Sequence, residues 1–132
     1  MLLPFPNIAS TLAKKPHMYI CLEESYPKKF IKCQTFKSHY RKPNTPPQEF
    51  IEVLPDIKHN PFIKSTLIDC DKSFCLDRDV VISEALLTTR RRDISEELFG
   101  ELEEKIDHED FKEIILNTKI VVQLNNEIEQ VG

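Results

Sequence analysis

The stretch that decides the fold is Ser65 to Ile106, which reads STLIDCDKSFCLDRDVVISEALLTTRRRDISEELFGELEEKI. Its first half contains three short apolar runs, Ser65 to Asp69, Lys72 to Leu76 and Asp79 to Ile82. Runs of this length, rich in β-branched and aromatic residues, predict strands. The first two runs are close enough to form one bent strand.

The second half of that stretch predicts a helix. Asp93 and Glu96 have the spacing of a capping box, with Asp in place of the usual Ser or Thr. The apolar residues that follow share one helical stripe: Ile94, Leu98, Phe99, Leu102 and Ile106. We therefore expect a capped amphipathic helix that begins at Asp93.

Working outward toward the N-terminus, the chain predicts more strands. Pro16 to Leu22 is continuously apolar and is typical of a buried strand. Lys28 to Phe36 alternates, which predicts a strand paired with it as a hairpin. Lys37 to Pro47 is polar, basic and rich in proline, so we expect a surface loop. Glu49 to Leu54 is a further predicted strand.

Toward the C-terminus we expect a second helix after Asp107, containing Phe111 and the run Ile114 to Leu116. Ile120 to Gly132 is compatible with a helical extension or a strand. The predicted fold class is therefore mainly β with C-terminal helices, that is, α+β. Many short strands closed by loops fit a small barrel with the helices packed on one side. We assign 1–106 to the barrel and 107–132 to a helical, acidic extension of the same domain.

Composition excludes several function classes. The chain has 132 residues, enough for one domain with a real core. It has only 2 Gly, and neither glycine-rich phosphate-binding motif occurs. The four cysteines lack C-x-x-C spacing and the four histidines are scattered, so we expect no metal and no cofactor. We see no signal peptide and no membrane span, and expect a cytoplasmic protein with reduced, buried thiols.

Charge is distributed unevenly. The formal net charge of −4 argues against a uniformly basic nucleic-acid binder. However, Lys28 to Lys42 contains six cations and no acid, whereas Ser95 to Glu129 is strongly acidic. A local basic face could therefore bind phosphate. Asp69 and Asp71 could hold a hard cation, but their spacing is not that of an EF-hand, and turn or edge-strand acids are the favoured interpretation.

The order of these segments resembles the PemK/MazF-like toxins of toxin–antitoxin systems. Lys15 to Ile20 (KPHMYI) resembles the family's Arg-Pro strand, and Phe30 to Thr35 (FIKCQT) resembles the strand that ends in a Thr or Ser. Asp93 to Leu98 (DISEEL), with Glu101 to Ile106, resembles the closing helix. The resemblance spans about Pro4 to Ile106 and rests on segment order and short motifs.

The resemblance implies a small SH3-like barrel, a homodimer, and metal-independent cleavage of single-stranded RNA that a cognate antitoxin neutralises. It implies catalytic roles for Lys15 and Thr35. His39, in the basic loop, is the further catalytic candidate, because imidazole suits proton transfer near neutral pH. Cleavage by the RNA's own 2′-OH needs a proton acceptor, a proton donor and cations that stabilise the charged phosphorane.

The candidate RNA-binding residues surround those positions. Tyr40 could stack on a base, and the remaining candidates are cations that could contact phosphate. These cations are Lys14, Lys37, Arg41, Lys42, Arg90, Arg91 and Arg92. The triple arginine could also meet an acidic antitoxin tail or the chain's own acidic helix. For Thr35, Lys15 and the loop residues, ordinary strand or solvated positions are the alternative interpretation.

The chain departs from the family at one decisive position. The family has Arg before the proline, whereas this chain has Lys15, which lacks the planar bidentate fork of a guanidinium. Two functions therefore remain open, besides a purely structural domain. The first is a toxin-like endoribonuclease, and the second is a catalytically inactive barrel of the same family that binds RNA or protein.

Overall fold

The computed structural model describes residues 2–3, 17–23, 27–83, 93–124 and 128–131. Its elements in chain order are β1 (Leu2–Leu3), β2 (His17–Glu23), β3 (Lys29–Thr35), a 3-10 turn (Ser38–Arg41), β4 (Phe50–Val53), β5 (Thr66–Asp69), β6 (Lys72–Leu76), β7 (Val80–Ile82), α1 (Glu96–Ile106), β8 (Lys112–Leu116), α2 (Thr118–Leu124) and β9 (Ile128–Gln130). A many-stranded sheet with two helices confirms the mainly β, α+β class.

Seven strands form the main sheet, in the order β1–β2–β3–β5–β4, with β6 paired to both β3 and β8. β2 and β3 form the predicted antiparallel hairpin, in which Ile20 faces Ile31. β6 and β8 run parallel, whereas β7 and β9 form a separate antiparallel pair. β5 and β6 pair with successive parts of the same edge of β3. The sheet therefore branches toward β4 and β8, and no pairing among the described strands closes it into the predicted barrel.

The two helices lie against opposite faces of the main sheet, in contrast to the expected packing on one side. We call one face the α1 face, because Ile31 and Cys33 pack there in one cluster with Leu98 and Leu102 of α1. The other is the α2 face, where the second cluster contains Tyr19, Phe30, Phe74, Leu116 and Val121, the last from α2. Alternating side chains of β2 and β3 supply both clusters, which explains why these strands are apolar on both sides.

The N-cap of helix α1 lies two residues later than the capping-box pattern predicted. Ser95 is the N-cap, and its Oγ accepts a hydrogen bond from the Leu98 backbone N–H at 3.1 Å. The Ser95 backbone N–H donates to the His59 carbonyl at 2.7 Å, and the Ser95 hydroxyl lies 2.9 Å from His59 Nδ1. Contacts with a distant loop therefore fix Ser95 as the cap, and the prediction of Asp93 was wrong.

The predicted second helix was also misplaced. Lys112–Leu116 is strand β8, paired in parallel with β6, and the helix is α2, Thr118–Leu124. The Thr118 hydroxyl donates to Asp77 Oδ1 at 2.6 Å, which ties the start of α2 to the end of β6. Leu116, Val121 and Ile128 are all buried. The described residues 112–124 and 128–130 thus contribute two strands and a helix to the fold, and they do not form the predicted helical extension.

Candidate nucleic-acid interface

At the end of β3, Thr35 and the basic loop that follows it lie on opposite faces of the sheet. The Phe36 backbone N–H donates to the Ser65 carbonyl at 2.9 Å, so the extended backbone continues one residue past the strand. Consecutive side chains of an extended chain point to opposite faces. Thr35 therefore lies exposed on the α1 face, across from Thr66, whereas Phe36 lies on the α2 face with Phe50.

Phe36 anchors a group of side chains on the α2 face that we call the loop cluster, which consists of Phe36, Tyr40, Arg41, Phe50 and Glu52. The Phe36 ring lies 6.1 Å from the Tyr40 ring and 6.0 Å from the Phe50 ring, measured between centroids. The Arg41 guanidinium carbon lies 4.6 Å above the Phe36 ring. Arg41 Nη2 donates to both carboxylate oxygens of Glu52, at 2.7 and 2.8 Å.

The loop carries a pair of tilted rings, with exposed lysines before and after it in the chain. The His39 and Tyr40 rings have centroids 4.2 Å apart at an interplanar angle of 38°. The Tyr40 N–H donates to the Lys37 carbonyl, and the Lys42 N–H donates to the His39 carbonyl, so the 3-10 turn holds the segment. Lys37, His39 and Lys42 are exposed and Tyr40 is half-buried. Rings with accessible faces beside lysines can stack on bases and contact phosphates.

The structure brings some of the predicted site residues together and keeps others apart. The loop residues come together, but Arg41 is held by Glu52, and Thr35 faces the opposite side of the sheet. Among the residues described, no hydrogen bond joins Thr35 to His39. Lys14, Lys15 and the run Arg90 to Arg92 lie outside the described residues.

A change of register beside β3 creates a second polar feature on the α2 face. Cys33 faces Ile68 of β5, and Phe30 faces Phe74 of β6. Phe30 and Cys33 are three residues apart in β3, whereas the residues that they face, Phe74 and Ile68, are six residues apart. The segment formed by β5 and β6 therefore contains three extra residues, which form a bulge. Continuing the β5 register places Asp69 opposite Lys32, and continuing the β6 register places Lys72 opposite the same lysine. Bulges re-aim side chains in this way and often occur beside active sites.

We call Lys32, Asp69 and Lys72 the bulge cluster. Asp69 is 3% exposed, and its Oδ2 lies 3.8 Å from Lys72 Nζ. Burial raises the pKa of Asp69, although the hydrogen bond from the Asp71 N–H and the two lysines oppose the shift. Burial also lowers the pKa of Lys32; Asp69 opposes that shift and Lys72 adds to it. The cluster therefore holds two cations around one acid in a half-buried position.

Several hydrogen bonds fix the backbone of the bulge. Asp69 Oδ1 accepts from the Asp71 N–H at 2.8 Å. The Asp71 carboxylate accepts from the backbone N–H groups of Gln48 and Glu49 at 2.7 and 2.8 Å. The Asp71 carbonyl accepts from the Lys112 N–H of β8 at 3.0 Å. Asp71 thus has a structural role, in agreement with the favoured interpretation of these acids.

The bulge cluster was missed by the sequence analysis. Lys32 was recognised only as part of a basic segment, and Lys72 was not singled out. The one available signal was a pair of short runs, β5 and β6, separated by the polar Cys70–Asp71 step. That signal predicts a bend but not which residue of another strand the bend will face.

Burial disfavours the thiolate form of three of the four cysteines. All four are free; Cys33, Cys70 and Cys75 are buried, as expected, whereas Cys21 is only half-buried. Burial raises the pKa of the Cys70 thiol to about 12 and raises that of Cys33 further still. A thiol that stays protonated at neutral pH is a poor nucleophile and a poor metal ligand.

A cavity of about 990 Å³ lies elsewhere, between β2, β7 and the start of α1. Most of its lining is apolar, including Met18, Phe62 and Phe99. Lys28 on its wall is paired with Asp79 at 3.2 Å. The cavity therefore suits apolar packing better than phosphate binding, and the loop is the better candidate for a polyanion.

Comparison with protein-family models, with curated proteins and with solved structures finds no match. Among the described residues, no group of three or more His, Cys, Asp or Glu is placed to hold a metal ion. None of the helices in the described ranges has the length and apolar character needed to span a membrane.

Proposed function

We propose that this protein binds single-stranded RNA at the loop that follows β3. The observation that carries the proposal is the tilted His39–Tyr40 ring pair, 4.2 Å between centroids, flanked in sequence by exposed Lys37 and Lys42. Bases stack on the two rings, and the lysines neutralise the adjoining phosphates. Arg41, held by Glu52 and Phe36, orients the loop.

This mode of binding fits an acidic protein. Stacking of a base on an aromatic side chain contributes about 1–3 kcal/mol and tolerates every base, because every base has a π-face. The net charge of −4 rules out a uniformly attractive surface, so the electrostatic part of binding is local to the loop. Binding should therefore be of modest affinity and should weaken as salt rises.

The resemblance to PemK/MazF-like toxins belongs to the same proposal. It adds a homodimer and an antitoxin partner to the proposal; of the SH3-like barrel that it implies, the described residues contain the β2–β3 hairpin with Thr35 at its end, without closure of the sheet. An acidic antitoxin segment would neutralise the protein by occupying Lys37 and Lys42 in place of RNA.

The test of RNA binding is fluorescence anisotropy with a labelled single-stranded RNA. We expect Tyr40→Ala to weaken binding about tenfold, whereas Tyr40→Phe, which keeps the ring, binds as the wild type does. We expect Lys37→Gln/Lys42→Gln to reduce the slope of log affinity against log salt by about 1.4, from two lost phosphate contacts. Lys119→Gln, an exposed lysine of α2, is the matched control. Equal affinities for Tyr40→Ala and the wild type would refute the stacking role.

Metal-independent RNA cleavage is the second candidate. It rests on the exposure of Thr35, which with Lys15 is a catalytic position that the resemblance implies, and on the exposed His39 at the same end of β3, although Thr35 and the loop lie on opposite faces of the sheet. We expect discrete cuts in a long RNA in the presence of EDTA, read by primer extension. The cuts should be absent from a Lys15→Ala/Thr35→Ala variant. Full cleavage by that variant would remove these residues from the mechanism.

A further inference from the structure

A smaller cavity, of about 310 Å³, opens on the α1 face beside Thr35, and we call it the strand-end pocket. Met18 and Thr35 form one wall, where β2 starts and β3 ends, and the segment from Phe62 to Lys64 forms the other. Ligand pockets in proteins have volumes of about 300–1,000 Å³. The strand-end pocket lies at the lower end of that range, so it suits one ring system better than a large ligand.

The walls of the pocket are held in place by the protein itself. The Thr66 hydroxyl donates to the Lys64 carbonyl at 2.9 Å. The Phe36 N–H donates to the Ser65 carbonyl, also at 2.9 Å. The Phe62 side chain is 4% exposed and packs in the cluster of the α1 face. A ligand that enters a pocket fixed in this way loses little affinity to ordering of the protein.

The mouth of the pocket presents three exposed groups of different chemistry. Ile63 is 71% exposed although it lines the cavity, and it offers an apolar surface. Thr35 is exposed, and its hydroxyl can both donate and accept a hydrogen bond. Lys64 is exposed, and no acid of the described chain pairs with it. None of the described lining residues is acidic. These groups together complement a planar ring that has a polar edge and carries a phosphate.

The pocket and the loop lie on the two faces of one strand end. Lys37 has an extended backbone, so the chain from Thr35 to Lys37 spans about 7 Å. An RNA strand that stacks on His39 and Tyr40 and crosses the end of β3 therefore reaches the pocket. This continuity favours a nucleotide of that RNA as the occupant.

We propose that the strand-end pocket binds one nucleotide, and that in the complex this nucleotide belongs to the RNA strand that stacks on the loop. The base lies against Phe62 and Ile63, and the Thr35 hydroxyl forms a hydrogen bond with its edge. Lys64 contacts the adjoining phosphate. The second half of the proposal rests on the proposed function, whereas the affinity of the pocket for a nucleotide does not.

The first arm of the test uses no RNA. The ribonucleotide UMP is titrated into ¹⁵N-labelled protein, and the amide signals of Thr35, Ile63 and Lys64 are followed. We expect saturable shifts in the wild type and about tenfold weaker binding in Ile63→Ala, which loses most of the apolar contact. Ile115→Ala is the matched control, because Ile115 is 70% exposed on β8, and it should bind as the wild type does. Inorganic phosphate should shift Lys64 without shifting Ile63. Absence of UMP shifts, or equal affinities of Ile63→Ala and Ile115→Ala, would overturn the pocket.

The second arm asks whether RNA uses the pocket. In the anisotropy assay with single-stranded RNA, Lys64→Gln should reduce the slope of log affinity against log salt by about 0.7, whereas Lys119→Gln should leave it unchanged. Equal slopes for Lys64→Gln and the wild type would overturn the RNA contact. UMP binding at the pocket by a protein with no affinity for single-stranded RNA would reject the proposed function and support the pocket.

Discussion

Asn60 offers the sharpest test of how the connector between β4 and β5 is held. Its side chain is 1% exposed and makes three hydrogen bonds. Nδ2 donates to the Leu54 carbonyl at 3.1 Å, and Oδ1 accepts from the backbone N–H groups of Phe62 at 3.1 Å and Asp56 at 3.3 Å. One amide therefore joins the start of the connector to Phe62.

The cost of Asn60→Ala follows from what the substitution leaves unpaired. The Phe62 N–H is buried, and an unsatisfied buried donor costs about 1–3 kcal/mol. Asp56 and Leu54 are exposed residues, so water can replace most of those two bonds, and each adds only about 0.5 kcal/mol. We expect the free energy of unfolding to fall by about 2–4 kcal/mol.

The assay is urea denaturation followed by circular dichroism, with Gln123→Ala as control because Gln123 carries an exposed amide in α2. The control should lie within about 0.5 kcal/mol of the wild type. Asn60→Asp should be at least as destabilising as Asn60→Ala, because it loses the donor and places a charge in the same buried site. A loss below about 1 kcal/mol for Asn60→Ala would refute the role assigned to this side chain.

Three further predictions concern α1 and the bulge. Ser95→Ala should lower the free energy of unfolding by about 1 kcal/mol in the same assay, whereas Asp93→Ala, which keeps the hydroxyl cap, should cost less; the reverse order would restore the capping box at Asp93. Gly100→Ala should stabilise the protein by about 0.5–1 kcal/mol, because an added Cβ meets no atom within 4 Å, and destabilisation would contradict that open space. Burial raises the pKa of Asp69 in the folded chain, so the stability linked to its protonation is full below the unfolded pKa of about 3.9 and is lost as pH rises through the folded pKa. In the Asp69→Asn variant, the free energy of unfolding measured by urea denaturation should not fall over that pH range. A variant with the same pH dependence as the wild type would show that Asp69 does not titrate as described.

The strands of the hairpin were predictable because their side chains carry a local signal. Lys29–Thr35 alternates in sequence, and the alternation divides its residues between two buried faces. Pro16 to Leu22 is apolar throughout, and β2 is indeed covered on both sides. Local pattern and tertiary packing agree in these segments, so the sequence was sufficient.

The misplaced second helix shows where a local signal fails. Lys112–Leu116 contains two isoleucines and a leucine in succession, a run that periodicity alone cannot assign to helix or strand. The parallel pairing with β6, some forty residues earlier in the chain, decides for strand. The cap of α1 is a similar case, because the contact of the Ser95 hydroxyl with His59, a residue of a distant loop, favours Ser95 over Asp93 as the N-cap.

The candidate site was predictable only in part. The basic, aromatic loop was visible as composition, and its residues do lie together. The Arg41–Glu52 contact and the meeting of Lys32 with Asp69 and Lys72 depend on strand register, which no local pattern encodes. Long-range charge pairs of this kind become visible only when the sheet is assembled.

The measurement that tests the central claim most directly is a titration of ¹⁵N-labelled protein with a single-stranded RNA of about ten nucleotides, within the range that one small domain contacts. We predict that the largest amide shifts fall on Lys37, His39, Tyr40 and Lys42, with little change along α1. Shifts concentrated on the cavity at Phe62 and Phe99, or no shifts at low salt, would contradict RNA binding at this loop.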